Sequence, residues 1–153
     1  MLTWEYIHIL LNPMPIYGLS VGLLALLLSL LIRNRKAQVL ALWLILLSGG
    51  SALPTYLSGQ KAYHKIYLIA DADGQASLDA HMHRAERLIY VFCALALIAL
   101  AALLVPAKWP KYAFPLALLT LVAAVASLAA GGWIAKAGGE VRHSELRAEQ
   151  PEE

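Results

Sequence analysis

Five histidines are the side chains of this sequence best suited to bind a metal or a cofactor, and they are His8, His64, His81, His83 and His143. Neutral imidazole is a common ligand for iron, copper, zinc and nickel. His81 and His83 lie just before a long apolar run, and Arg84 and Arg87 follow them directly. The spacing therefore predicts a histidine and arginine site at the mouth of a helix.

The separation of His81 and His83 limits what they can do together. Residues two apart on an α-helix point about 200° away from each other, so this pair cannot supply both axial ligands of one haem iron. A second ligand must come from a different segment, and we expect it to be His8 or His143. His64 falls in a stretch predicted as a loop and is the weakest candidate.

Three arginines near the same edge, Arg84, Arg87 and Arg142, could bind the propionates of a b-type haem. A guanidinium binds a carboxylate through two parallel hydrogen bonds. The alternative is structural: the same arginines would form ion pairs with neighbouring acidic residues or with lipid headgroups.

Other kinds of site have less support in the sequence. The single cysteine, Cys93, lies in the middle of an apolar run, where a packing role is expected. There is no Cys-x-x-Cys-His sequence for covalent haem attachment. A copper or zinc ion would need carboxylates or sulfurs at ligand spacing, and nothing indicates a nucleophile with its base.

The elements that must position these residues are membrane helices, because 60% of the residues are hydrophobic and only 14% are charged. Soluble domains contain about 45–50% apolar residues. The sequence predicts one all-α domain over 1–153, an antiparallel four-helix transmembrane bundle with Ser77 or Asp79 as N-cap of the third helix. The predicted spans are about 15–32, 37–56, 86–105 and 113–135.

Basic residues in two short turns predict the orientation of this bundle. Arg33, Arg35 and Lys36 follow the first span, and Lys108 and Lys111 follow the third. The positive-inside rule assigns both turns to the cytoplasm. The loop 57–80, the tail 138–153 and both termini would then lie outside the inner membrane of a bacterium, and all five histidines would lie near the outer face.

The segment His-Ile-Leu-Leu-Asn-Pro-Met-Pro-Ile at residues 8–16 resembles the opening of a bacterial family of small four-helix membrane proteins of unassigned function. In that family the first helix begins near the sequence His-Pro-Leu-Leu-Val-His-Phe-Pro-Ile. His8 matches its first histidine, whereas Ile9 stands at its first proline and Pro13 at its second histidine. Any family site that needs both histidines would therefore be altered in this chain.

Three further segments carry the same resemblance. Residues 53–59 are similar to the family's second-helix exit, which ends in Thr-Gly. Residues 138–145 are similar to a Gly-Gly-x-x-Arg-His signature, and the region of His81 is similar to the family's histidine before helix three. The resemblance favours His81 over His83 as a ligand. Relatives occur fused to or beside c-type cytochromes, which implies redox partners.

Two functions remain open from the sequence. The first is an electron-transfer subunit that binds haem b near the outer face, within a respiratory complex or beside a c-type cytochrome. The alternative is a cofactor-free structural subunit that anchors or docks a partner protein. Either would act with membrane lipids and other subunits, rather than as an enzyme alone. No nucleic-acid partner is expected, because the Lys and Arg residues cluster in short loops flanking apolar runs instead of forming a basic face.

Overall fold

The computed structural model describes residues 2–147, and all regular structure in that range is helical. The α-helices are α1 (Trp4–Leu11), α2 (Leu19–Leu31), α3 (Arg35–Tyr67), α4 (Ala72–Lys108) and α5 (Ala113–Glu140). One π-helical turn, Met14–Gly18, links α1 to α2, where Pro13 and Pro15 cannot donate backbone hydrogen bonds. Short 3-10 turns occupy Pro110–Tyr112 and Ser144–Leu146.

Four helical stretches are long and apolar enough to cross a membrane, and they are Trp4–Leu31, Arg35–Tyr67, Ala72–Lys108 and Pro110–Glu140. The first of them contains α1, the π-helical turn and α2. The prediction of an all-helical chain with four such helices is confirmed. Each stretch extends beyond the apolar segment that the sequence had assigned to the membrane.

The core lies where α2, α3, α4 and α5 pack together. Its largest completely buried apolar side chains are Leu19, Leu26, Leu42, Ile45 and Leu95. Buried hydroxyls in the same core are satisfied within their own helices: Thr120 donates to Leu116 O at 2.8 Å and Ser127 to Ala123 O at 2.9 Å. Because a hydroxyl bonded in this way exposes no free donor, small polar residues pack between the helices without a buried, unpaired group.

The prediction of an outer loop at 57–80 is wrong. The helix α3 continues to Tyr67 and α4 begins at Ala72, so the connection contains only residues 68–71. Glycine, aspartate and lysine residues made this segment resemble a loop. Its helices nevertheless bury one face, including Ala62 and Leu78, while the charged residues occupy the other face.

The prediction of Ser77 or Asp79 as N-cap of the third long helix is also wrong. Ser77 and Asp79 lie inside α4, and the cap is Asp71, whose Oδ1 accepts a hydrogen bond from the backbone N–H of Gly74 at 2.7 Å. An aspartate before the first helical turn satisfies one of the free backbone donors there. Helix α4 therefore begins well before the apolar run that starts at Leu88.

The expected tail at 138–153 starts later than predicted. Helix α5 continues to Glu140, and the residues after it turn back, so that Arg147 donates to both carboxylate oxygens of Asp71 at 2.8 and 3.0 Å. Arg147 also donates to the carbonyl oxygen of Glu140 at 2.9 Å. The acidic residues from position 149 onward lie outside the described residues.

Candidate functional site

A cavity of about 740 Å³ lies between α1, α3, α4 and α5. Its volume is within the range of about 300–1,000 Å³ that is typical of small-molecule and cofactor pockets. The wall is mainly apolar and includes Ala52, Ile66, Leu78, Ile89, Phe92 and Ile134. Within such a wall, the few polar side chains determine the chemistry of the cavity.

Two of those polar groups are His8 and His81, which face each other across the cavity. His8 comes from α1 and His81 from α4, and 73 residues of sequence separate them. Their ring centroids are 6.5 Å apart, and their planes cross at 81°. The fold thus brings together two imidazoles from different helices, with their rings nearly perpendicular.

Helix α3 fixes the ring of His8. The Nδ1–H of His8 donates to the carbonyl oxygen of Thr55 at 2.9 Å, and the hydroxyl oxygen of Ser58 lies 3.4 Å from the same nitrogen. One turn further along α3 is Gly59. A Cβ atom at Gly59 would lie 2.9 Å from Cε1 of His8, closer than real Cβ contacts allow. The ring therefore occupies space that only glycine leaves free.

Helix α5 holds the ring of His81 in the same way. The Nδ1–H of His81 donates to the carbonyl oxygen of Ile134 at 2.9 Å. A Cβ atom at Gly138 would lie 2.9 Å from Nδ1 of His81. Each histidine is thus bonded to a carbonyl of a neighbouring helix. It also lies against a glycine that follows that carbonyl by four residues on the neighbouring helix.

These hydrogen bonds determine the tautomer of both rings. A carbonyl oxygen can only accept, so the proton of each neutral imidazole must lie on Nδ1. The unprotonated nitrogen is then Nε2, which carries the lone pair that a metal binds. A backbone carbonyl bonded to the other ring nitrogen is the usual support of a metal-ligating histidine.

Comparisons of this chain with known protein families, curated proteins and solved structures find no match. The chemistry of the site is therefore inferred from its own residues. Within residues 2–147, no group of three or more His, Cys, Asp or Glu side chains is arranged to hold a metal ion. A zinc ion takes three or four protein ligands, whereas a haem iron takes one or two. Two histidines are fewer ligands than a protein zinc site uses.

His143 and Arg142, two of the predicted site residues, lie at the edge of the cavity and are exposed. Nδ1 of His143 is 2.8 Å from a carboxylate oxygen of Glu145. The pKa of Glu145 is lowered by a hydrogen bond from its own backbone N–H and by the hydrogen bond with His143. His143 is thus paired with Glu145, and the histidine next to His81 is His8.

The remaining predicted residues do not belong to the cavity lining. His64, His83 and Arg87 are exposed on the surface of α3 or α4. Nη1 of Arg84 donates to the carbonyl oxygen of Trp133 at 2.8 Å, and its guanidinium lies 4.6 Å from the centroid of the Trp133 ring. Arg84 thus links α4 to α5.

Sequence reasoning missed Gly59 and Gly138, since a glycine in an apolar helix ordinarily indicates close helix packing. Their spacing from Thr55 and Ile134 gave no signal without knowledge of which histidine lies opposite. Sequence reasoning also missed Arg147, which fixes the end of the described chain to the turn between α3 and α4.

Proposed function

We propose that this protein is a membrane electron-transfer subunit that binds one b-type haem in the cavity, with His8 and His81 as the axial ligands. The observation that carries the proposal is the pair of facing imidazoles from α1 and α4, each with its Nδ1–H bonded to a helix carbonyl. Bound there, the haem would supply one-electron chemistry. The protein supplies the ligands, the apolar wall and the orientation.

The spacing of the two rings supports this assignment. With metal to nitrogen distances of about 2.0–2.1 Å and about 1.1 Å from each nitrogen to its ring centroid, two imidazoles on one metal have centroids about 6.3 Å apart. The observed separation is 6.5 Å. The observed centroid separation is therefore compatible with two imidazoles on one metal.

Haem b is the appropriate type because its attachment depends on ligands and packing alone. The only cysteine, Cys93, lies in the apolar part of α4 and no Cys-x-x-Cys-His sequence exists for a covalent link. Among the three predicted propionate partners, Arg142 is the one that lines the cavity. Arg84 is engaged with Trp133, and we assign it a structural role.

The position of the site in the bundle supports an outer-face location. Gly138 is 25 residues from the start of α5 at Ala113, or about 38 Å along the helix axis. The basic turns around Arg35 and Lys111 lie near the opposite ends of the helices. With an antiparallel bundle in a bacterial inner membrane and basic turns inside, the termini and the haem site lie at the outer face.

The partners of such a site would be other membrane subunits of a respiratory complex or a c-type cytochrome outside the membrane. A haem close to one surface shortens the distance to a partner on that side. Lipid would surround the remaining apolar surface, where large side chains such as Leu24, Leu97 and Val122 are exposed.

The test is titration of the detergent-purified protein with hemin, followed by visible spectra of the oxidised and reduced forms. We expect a six-coordinate low-spin spectrum with one haem per chain. His8→Ala and His81→Ala should each lose it, because each removes one axial ligand. The exposed residues His64 and His83 are matched controls, and their alanine variants should retain the spectrum.

Two results would contradict the proposal. A protein that binds no hemin, or one whose spectrum is unchanged in both His8→Ala and His81→Ala, would favour the alternative function. That alternative is a cofactor-free structural subunit, in which the histidines only join α1 to α3 and α4 to α5.

A further inference from the structure

The two histidines are held by the same local device on two different helices. His8 bonds to the carbonyl of Thr55 and lies against Gly59, and His81 bonds to the carbonyl of Ile134 and lies against Gly138. In both cases the glycine is four residues after the carbonyl. We call each such combination, Thr55/Gly59 and Ile134/Gly138, a carbonyl–glycine pair.

Helix geometry explains why the spacing is four. A side chain on an α-helix points toward the N-terminus and covers the turn before its own Cα. The side chain at position i+4 therefore covers the carbonyl at position i, which already accepts the N–H of residue i+4. A glycine at i+4 exposes that carbonyl, so that an outside donor can reach it. At Thr55 the same oxygen also accepts a hydrogen bond from the hydroxyl of Ser58 at 2.9 Å.

We propose that Gly59 and Gly138 are positioning residues, and that the two carbonyl–glycine pairs hold the imidazoles of His8 and His81 in the Nδ1–H tautomer with their planes crossed. The tautomer and the crossing of the rings are properties of the protein alone. The consequence for bound haem, a crossed pair of axial imidazoles, rests on the proposed function.

Other glycines on the same two helices provide matched controls. A Cβ atom at Gly50 on α3, or at Gly132 on α5, would meet no atom within 4 Å. Gly50→Ala and Gly132→Ala therefore make the same chemical change in the same helices without approaching a histidine. Gly59→Ala and Gly138→Ala instead place a methyl group 2.9 Å from a ring atom.

The first experiment uses protein without haem and records nitrogen NMR spectra of ¹⁵N-labelled histidine side chains. In the wild-type protein and in both control variants, His8 and His81 should show the Nδ1–H tautomer. Gly59→Ala should change only the His8 signals, and Gly138→Ala only those of His81. An Nε2–H tautomer in the wild type, or unchanged signals in both variants, would overturn the inference whether or not the protein binds haem.

The second experiment loads the same five proteins with hemin and records EPR spectra of the oxidised form. Crossed imidazole planes give a more anisotropic low-spin signal than parallel planes. We expect that signal in the wild type and in both controls, and a shifted or lost low-spin signal in Gly59→Ala and Gly138→Ala. Identical low-spin signals in all five proteins would overturn the inference while leaving the proposed function intact.

Far-UV circular dichroism measures whether each variant keeps its helices. A ring that moves by a few tenths of an ångström leaves the helices in place, so all variants should keep the wild-type helical content. Unfolding of both Gly59→Ala and Gly138→Ala would contradict a positioning role and indicate a packing role. Failure of the wild type to bind hemin would contradict the proposed function, and the NMR experiment would still decide the role of the glycines.

Discussion

At the scale of single residues, the site combines histidine side chains, which can be recognised in the sequence, with backbone carbonyls, which cannot. Histidines attract attention by their chemistry, and the 100° rotation per residue of an α-helix is enough to separate the roles of His81 and His83. The carbonyls of Thr55 and Ile134 have no residue signature, because every residue carries a carbonyl. Only the fold determines which carbonyl a histidine meets.

Arg142 provides a test of whether the cavity edge binds an anionic group. Its exposed guanidinium lines the cavity near His143. An exposed charge pair contributes about 0.2–1 kcal/mol, so Arg142→Gln should weaken hemin binding up to about fivefold and leave the low-spin spectrum unchanged. Arg87→Gln, which removes the same charge from an exposed position on α4, should leave the affinity unchanged. Equal losses in both variants would indicate a general charge effect.

At the scale of elements, the apolar runs and the charged turns predicted four long helices but not their ends. Hydropathy marks the part of a helix that contacts lipid, and it gives no information about the polar turns that continue beyond it. Residues 57–80 were expected to form a loop because Gly59, Gly74 and several charges interrupt the apolar pattern. Backbone hydrogen bonds and a buried face, including Ser58 and Ala62, keep that segment helical.

The helical structure of residues 57–67 matters for the site. Gly59 would belong to a loop in the predicted arrangement, whereas the structure makes it part of α3, one turn after Thr55. The helical extension therefore creates the surface that receives His8. The same holds for Gly138, which was expected in the tail and lies in α5.

The contact between Asp71 and Arg147 joins the start of α4 to the end of the described chain. The hydrogen bonds from Arg147 lower the pKa of Asp71 below its ordinary value of 3.8, and a bond from the N–H of Gly74 adds to the effect. A lowered folded-state pKa stabilises the fold above the ordinary pKa, and this stabilisation is lost as the pH falls through the folded-state value.

Asp71→Asn isolates the charge, because asparagine is an equally good N-cap. We expect this variant to melt at a lower temperature than the wild type at pH 7, with the difference disappearing as the pH falls below about 4. Thermal melts in detergent, followed by circular dichroism, measure both. Asp73→Asn is the comparison within the same turn. Its carboxylate is 3.9 Å from Arg147, beyond hydrogen-bonding distance, and does not cap the helix, so its effect should be smaller. An equal effect of both variants, or a difference that persists at low pH, would count against this ion pair.

At the scale of the whole molecule, the two basic turns and the histidine pair lie toward opposite ends of the long helices. Within the described residues, the two basic turns, 33–36 and 108–111, contain no acidic residue, and the histidine pair lies toward the other ends of α3, α4 and α5. The proposed haem would therefore lie nearer to a partner on that side of the membrane. The orientation of the chain in the membrane therefore decides which class of partner is available.

Cysteine labelling tests that orientation directly. Cys93→Ala removes the native thiol, and Ala70→Cys or Lys111→Cys then introduces one cysteine in the turn between α3 and α4 or in the second basic turn. We expect a membrane-impermeant maleimide to label Ala70→Cys in intact spheroplasts and Lys111→Cys only after the membrane is opened, because basic turns remain in the cytoplasm. The reverse pattern would place the histidine pair near the cytoplasmic face. A c-type cytochrome outside the membrane would then be excluded as the direct partner, while the assignment of His8 and His81 as ligands would be unaffected.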